Sequence, residues 1–222
     1  MLQSALHLLN TLAVVVDGNG RCADQRGAAD STGHVAGARA LRTIVSHCAT
    51  IGVPQLTLYA FSSDNCWRPT KELQELPMRF TSHVRSQASV LARHGIRRTV
   101  IGRRDRLPRT LETVIPITAT ATAHGRRMHL RIAIDYSSRA AITPSHVDAG
   151  TSNAFLRPVD LMIRAGGERR LPDFLSWEGV YAELAFLNVL WPDMTPEALD
   201  DACRDFAQRD RRFGGLTQRV SA

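Results

Sequence analysis

A short polar stretch after an apolar run could hold an anion and a metal ion. The run Leu12-Ala13-Val14-Val15-Val16 ends in Asp17-Gly18-Asn19-Gly20-Arg21, a polar loop follows, and Gly33-His34 opens a helical pattern. A β-branched run, a glycine-spaced turn and a helix are how α/β proteins build a phosphate site. The glycines let backbone N–H groups approach an anion closely. Arg21 and His34 can supply charge and donors. Asp17, at the strand's carboxyl end, suits a hard divalent cation such as Mg2+. The spacing matches neither the dinucleotide fingerprint nor the Walker loop. An Asp-Gly-Asn-Gly run is also a good turn sequence, and on this stretch alone the two readings stand level.

The elements that must position these residues follow in order. Helix periodicity covers 34–50, with Ala38, Leu41, Ile44, Val45 and Cys48 on one face. Strands are expected over 55–61, 96–101, 129–134 and 159–163, with a sixth inside 180–190. Helices are expected over 70–94, kinked at Pro77, over 107–123 and over 195–212. Residues 142–156 read as loop. Neither a repeat nor a linker divides the chain, so it reads as a single α/β domain over 1–222. Its sheet is largely parallel, of about six strands, flanked by helices. Polar turns follow the strands at Asp17, Ser62, Asp135 and Arg164. Ligands of such sheets sit at the strands' carboxyl ends. The turns bring Arg21, His34, Arg68, Arg164 and Arg170 to that edge, a convergence suited to two diphosphates.

The totals bound the class. The chain has 222 residues, a 44% hydrophobic share and a net charge of +7. Lys71 is its only lysine, so the positive charge is arginine, which suits diphosphate recognition. Cys22, Cys48, Cys66 and Cys203 are scattered, which argues against zinc and a disulfide framework. No stretch is long and apolar enough to span a membrane. The first residues lack a signal peptide's charged region, so a cytoplasmic protein is expected.

The same residues resemble a known family. Asp17-Gly18-Asn19-Gly20-Arg21, with Arg26-Gly27 and Gly33-His34, resembles the first signature of cis-prenyltransferases, which include undecaprenyl diphosphate synthase. Leu56 to Asn65 with Arg68-Pro69 is similar to the second. Asp160 to Arg164 with Gly166-Gly167-Glu168 and Arg170 is similar to the third. Trp177, Tyr181-Ala182-Glu183-Leu184, Trp191-Pro192-Asp193 and Arg211-Arg212-Phe213-Gly214-Gly215 continue it, so the likeness spans nearly the whole chain.

The resemblance implies a homodimer with a tunnel running from a diphosphate site between sheet and helices. It implies Mg2+-dependent joining of an allylic diphosphate to a second five-carbon diphosphate. Asp17 would organise Mg2+, with help from Glu183. The amides from Gly18 through Asn19 and Gly20 to Arg21, with the Arg21 and His34 side chains and Arg68, would hold the allylic diphosphate. Ser62 and Asn65 would sit near the reacting carbons, and with His34 are the candidates for moving a proton. Arg164 and Arg170 would hold the second diphosphate, and Gly214 would reach the partner subunit's site.

The chain departs from that pattern at several places. Asp30 stands where an arginine is usual, and Cys22 and Cys66 where tryptophan is usual. Pro172 replaces a serine at the second diphosphate site. Asp135-Tyr136-Ser137-Ser138-Arg139 replaces Asn-Tyr-Gly-Gly-Arg, and the segment between Arg139 and Pro158 is short. Changes around both diphosphates point to the irregular branch. That branch joins two dimethylallyl diphosphates head to middle into lavandulyl or cyclolavandulyl diphosphate. Regular elongation with isopentenyl diphosphate, to undecaprenyl or shorter products, is the alternative. In that case the helix over 70–94 lines the tunnel, and Leu76, Met78 and Phe80 could shorten it. A non-catalytic partner subunit is disfavoured because Asp17, Asn19 and Arg21 are present. A nucleic-acid binder is disfavoured by the absence of an aromatic-basic stacking motif.

Overall fold

The computed structural model describes residues 7–63, 70–142 and 157–211, with the backbone alone over 70–80 and at 83. Strand β1 (Thr11–Val15) is buried at every position, as expected of a central parallel strand. Its neighbours β2 (Gln55–Ser62) and β5 (Leu161–Arg164) run parallel to it. Val15 is level with Tyr59 on one side and Arg164 on the other. Beyond β2 lie β4 (Met128–Tyr136) and β3 (Ile96–Ile101), and beyond β5 lies β6 (Glu183–Phe186). The order is β3-β4-β2-β1-β5-β6, and every pairing is parallel. From β1 the chain passes through β2 to the edge strand β3, comes back with β4 between these two, and then crosses to β5 and β6 on the other side of β1. The connections leaving β1 and β5 run to opposite sides, which leaves a crevice beyond the carboxyl ends of these two strands.

The helices are α1 (Asn19–Gln25), α2 (Asp30–Ile51), α3 (Thr70–Arg93), α4 (Arg109–Ala121), α5 (Ser138–Ile142) and α6 (Pro196–Gln208). Side chains alternate across each strand, so each face has its own core. Leu12, Val14, Leu56 and Leu58 pack with Ile44 of α2, Leu91 of α3, Ile115 of α4 and Phe206 of α6. Burying one such side chain contributes about 1.5–3 kcal/mol. Ala13, Val15, Tyr59 and Met162 face the other way, against Phe174 and Leu175. There the Phe174 ring stacks on Tyr59 at 4.5 Å between centroids and meets Tyr136 edge-on at 5.9 Å.

Some local expectations change. The loop after Asp17 contains α1. Gly18 takes φ 102°, a left-handed value open to glycine, and turns the chain into that helix. The next helix begins at Asp30 rather than at 34, with Asp30 in its first turn, where a carboxylate complements the helix dipole. The turn expected at Asp135 is part of β4, with Asp135 at φ 50°, a conformation that Asp tolerates better than most residues. Arg106 Nε donates to Asp135 Oδ2 at 2.9 Å and Ser63 Oγ to Oδ1 at 2.8 Å, which holds that strand end. α3 runs through Pro77 as one helix.

His129 on β4 gives a pH test. Burial first, then nearby Arg97, Arg131 and Arg157, pulls its imidazole down to about 4, and Thr99 Oγ1 lies 2.9 Å from Nε2. As pH falls from about 6.5 to about 4, the unfolded chain binds a proton that the folded chain refuses. Stability therefore declines across that window. In urea titrations, His129→Asn should flatten the decline, and an unchanged slope would assign it to other groups.

Candidate active site

The pairing of β1 with β5 brings two chain segments together. Val15 is level with Arg164 across the β1–β5 pair, so Asp17, two residues on, meets that arginine. Arg164 Nη2 donates to Asp17 Oδ2 at 2.8 Å, and Arg21 Nη2 donates to Oδ1 at 3.0 Å. Burial opposes the charge on Asp17, but the hydrogen bonds from Arg164 and Arg21 outweigh it and hold the carboxyl below its ordinary range. Trp191 N donates to the Asp17 carbonyl at 2.9 Å and so fixes the turn from the β6 side.

α1 opens into the same crevice. Its first turn has no side-chain cap, which leaves its leading amides, around Asn19, Gly20 and Arg21, without that partner. Two glycines of α2 allow the close packing that aims them. A Cβ at Gly33 would lie 2.1 Å from the Asn19 carbonyl oxygen, and one at Gly37 would lie 2.2 Å from Asn19 Oδ1. Trp191 Nε1 donates to the Gly37 carbonyl at 3.0 Å.

Arg164 is the inner wall. Its side chain is 7% exposed, Nη1 donates to the Arg170 carbonyl at 2.7 Å, and Nε is buried with no partner among the described residues. A buried donor left unfilled beside a paired carboxylate fits a site built to receive an acceptor oxygen. Arg170 turns its side chain outward to Glu168, whose Oε1 lies 4.0 Å from Arg21 Nη1. Arg21 Nη1 also donates to the Gly166 carbonyl at 2.5 Å. Glu168 was assigned no role from sequence, although it sits in the Gly-Gly-Glu run, which could have flagged it. On the other wall, His34 Nε2 lies 3.1 Å from Asp30 Oδ2. Asp30 Oδ1 lies 2.8 Å from where a Cβ on Gly20 would be.

Asp17, Gly18, Asn19, Gly20, Arg21, Arg164 and Arg170 therefore meet around one crevice, with His34 beside them. Ser62 ends β2, level with Tyr136. Asn65, Arg68 and Gly214 lie outside the described residues. Glu183, expected to share in metal binding, is not beside Asp17 of the same chain. It is level with Leu161, whereas Arg164 is level with Phe186. That puts it about 10 Å from Arg164 toward the strands' opposite edge. There Arg209 Nη1 donates to Glu183 Oε2 at 2.9 Å. Among the described residues no group of three or more His, Cys, Asp or Glu could hold a metal. A lone carboxylate still fits Mg2+, which keeps waters and takes further ligands from substrate phosphates.

A cavity of about 230 Å3 lies between α2, α3 and the sheet. Its buried walls include Val45 of α2, Leu91 of α3, and Leu130 and Ile132 of β4, while the exposed Arg42, His94 and Arg127 also line it. The side chains of Leu76, Met78 and Phe80 lie outside those described.

With this geometry in hand, comparison with known proteins is specific. The sequence pattern of the undecaprenyl diphosphate synthase family of prenyltransferases matches residues 15–214. The chain belongs to this family, and it is a prenyltransferase. It is 44% identical over 219 residues to isoprenyl transferase 1 of Bradyrhizobium diazoefficiens, covering 92% of this chain and 89% of that one. It is 37% identical over 225 residues to the (2E,6E)-farnesyl-diphosphate-specific ditrans,polycis-undecaprenyl-diphosphate synthase of Haemophilus ducreyi, covering 92% and 93%. Its fold superposes on lavandulyl diphosphate synthase from Lavandula x intermedia, solved with dimethylallyl diphosphate, with a TM-score of 0.83 and 26% identity, covering 92% and 98%.

Two variants test the site. Asp17→Ala should lower kcat by at least about 10²–10³-fold while circular dichroism stays that of the folded chain. Retained turnover would remove Asp17 from the chemistry. Gly33→Ala should destabilise the fold by about 1–3 kcal/mol and weaken substrate binding by shifting Asn19. An unchanged melting temperature would contradict the close α1–α2 approach.

Proposed function

We propose that the enzyme extends an allylic prenyl diphosphate with five-carbon units from isopentenyl diphosphate, by regular cis elongation. The observation that carries this reading is the position of the apolar cavity. Leu130 and Ile132 are level with Leu56 and Leu58, and so with Leu12 and Val14 of β1. Strand geometry then puts the cavity about 15–20 Å from Asp17. With carbon–carbon bonds of about 1.5 Å, the eight-carbon main chain of a ten-carbon product spans only about 9 Å. A ten-carbon enzyme has no use for an apolar cavity so deep. The names of the Bradyrhizobium and Haemophilus relatives agree with this reading.

In this reading the α1 amides, Arg21 and His34 hold the allylic diphosphate, with Arg68 assisting. Arg164 and Arg170 hold the second diphosphate, and Arg164 Nε finds its missing acceptor there. Asp17 would hold Mg2+, which when bound would supply stabilisation of the charge on the departing diphosphate. The arginines share that charge in a site closed to bulk water. Ser62 and Asn65 stand near the reacting carbons, where a proton must leave after the new bond forms. Glu183, hydrogen-bonded by Arg209, would assist Mg2+ placement only from outside the Asp17 cluster of its own chain. The chain acts as a homodimer, with Gly214 reaching across. Trp177, Val180 and Tyr181, exposed by 68%, 71% and 63%, supply the apolar face for self-association. Sedimentation at the mass of one chain would remove the dimer. No helix among the described residues is long and apolar enough to cross a membrane.

The head-to-middle joining of two dimethylallyl diphosphates is the second reading. Asp30 favours it, because a carboxylate against Gly20 and His34 lowers the positive charge of the first anion pocket. The likeness to the lavandulyl enzyme favours it too. Mass spectrometry of dephosphorylated products separates the two. Regular elongation gives products only when isopentenyl diphosphate accompanies an allylic diphosphate. A branched or cyclic ten-carbon alcohol from dimethylallyl diphosphate alone would overturn it.

A further inference from the structure

The cavity wall contains a cation. Arg98 lies on β3, on the same face as Ile96 and Val100, and lines the cavity. It is 2% exposed. Its Nη1 donates to the Val84 carbonyl of α3 at 2.8 Å, while Nη2 is buried with no hydrogen-bond partner among the described residues. Burial pulls the guanidinium down to about 10, so it remains charged at neutral pH. A paired buried arginine would be ordinary architecture. Arg42, His94 and Arg127 also line the cavity but are exposed, whereas the buried lining around Arg98 is Val45, Leu91, Ile96, Leu130 and Ile132. An N–H left over among those apolar side chains penalises any apolar group that displaces its last water.

We propose that Arg98 is the specificity-determining residue that ends chain growth, by meeting the apolar tip of the product with a desolvated cation. This deepens the elongation reading and rests on it. Arg98 is level with Leu130, Leu130 with Leu56, and Leu56 with Leu12. It therefore stands three strands across from β1 and five residues below Asp17, which is about 20 Å from the diphosphate site. With bonds of about 1.5 Å, each four-carbon repeat of a prenyl main chain advances about 4–5 Å. Roughly four units fill the span, so growth stops near a twenty-carbon product. The obstacle is electrostatic rather than steric. Its removal matters more than the small change in volume when methionine replaces arginine.

The test is product length by chromatography of dephosphorylated products. Wild type, Arg98→Met, Arg98→Leu and Arg98→Lys are each incubated with Mg2+, labelled isopentenyl diphosphate and allylic diphosphates of five, ten or fifteen carbons. Arg98→Met and Arg98→Leu should shift the longest product upward by one or more five-carbon units. Arg98→Lys, which keeps the cation, should leave it unchanged. Folded Met and Leu variants with wild-type product lengths would overturn the proposal while leaving the elongation reading intact. Failure of the wild type to elongate any primer would instead remove the elongation reading. Binding of unreactive thiolo-diphosphate analogues to the wild type needs neither turnover nor a folded variant. Affinity should rise with chain length and then fall by about tenfold once the tip reaches Arg98. A rise that continues past that length would overturn the proposal as well.

Discussion

The Asp17 carboxylate, held between Arg164 and Arg21, is the interaction on which the site depends. It ties the end of β1 to the end of β5, neighbouring strands whose onward connections run to opposite sides of the sheet. The two guanidiniums keep the carboxylate ionised despite burial, so the acid is ready for a metal ion. Neither arginine is spent on this contact alone. Arg164 also fixes the following loop through the Arg170 carbonyl, and Arg21 fixes it through that of Gly166. Two arginines around one carboxylate leave a surplus of positive charge, which is what a diphosphate needs.

Around that centre the molecule places backbone rather than side chains. α1 presents amides because Gly18 turns the chain and because Gly33 and Gly37 let α2 come close. Trp191 packs the third side and hydrogen-bonds both Asp17 and Gly37 through main-chain carbonyls. An anion pocket made of amides is insensitive to rotamer disorder, so this is a rigid first half of a reaction site. Arg170, paired with Glu168, lies outside it at the surface.

The apolar side of the chemistry lies one layer away. The same sheet face that packs Leu12 and Val14 into the core carries, at β3 and β4, a cavity between α2 and α3. A cavity next to the core is tolerated only where its walls do not need one another for packing. A charged residue in such a wall lowers stability, so its presence at Arg98 points to a role in what the cavity accepts.

The sequence by itself determined the class of the fold and the grouping of Asp17, the following glycines and Arg21. Strand and helix periods alternate clearly enough to place six parallel strands, and β3 appears at the expected 96–101. Asp17, the glycines and Arg21 are adjacent in the chain, so their meeting is local and could be read directly. Helix ends were less legible. Gly33 looks like a boundary by propensity, yet it lies inside α2 because the Asn19 carbonyl leaves room for no Cβ there. Only the tertiary structure decided which distant residues meet. Arg164 reaches Asp17, and Glu183 does not, because β5 pairs with β1 in one particular register. Strand register is set by packing across the whole sheet, and no local pattern encodes it. The burial of Arg98 has the same origin: an arginine in a strand reads as solvated until the helices that cover it are in place.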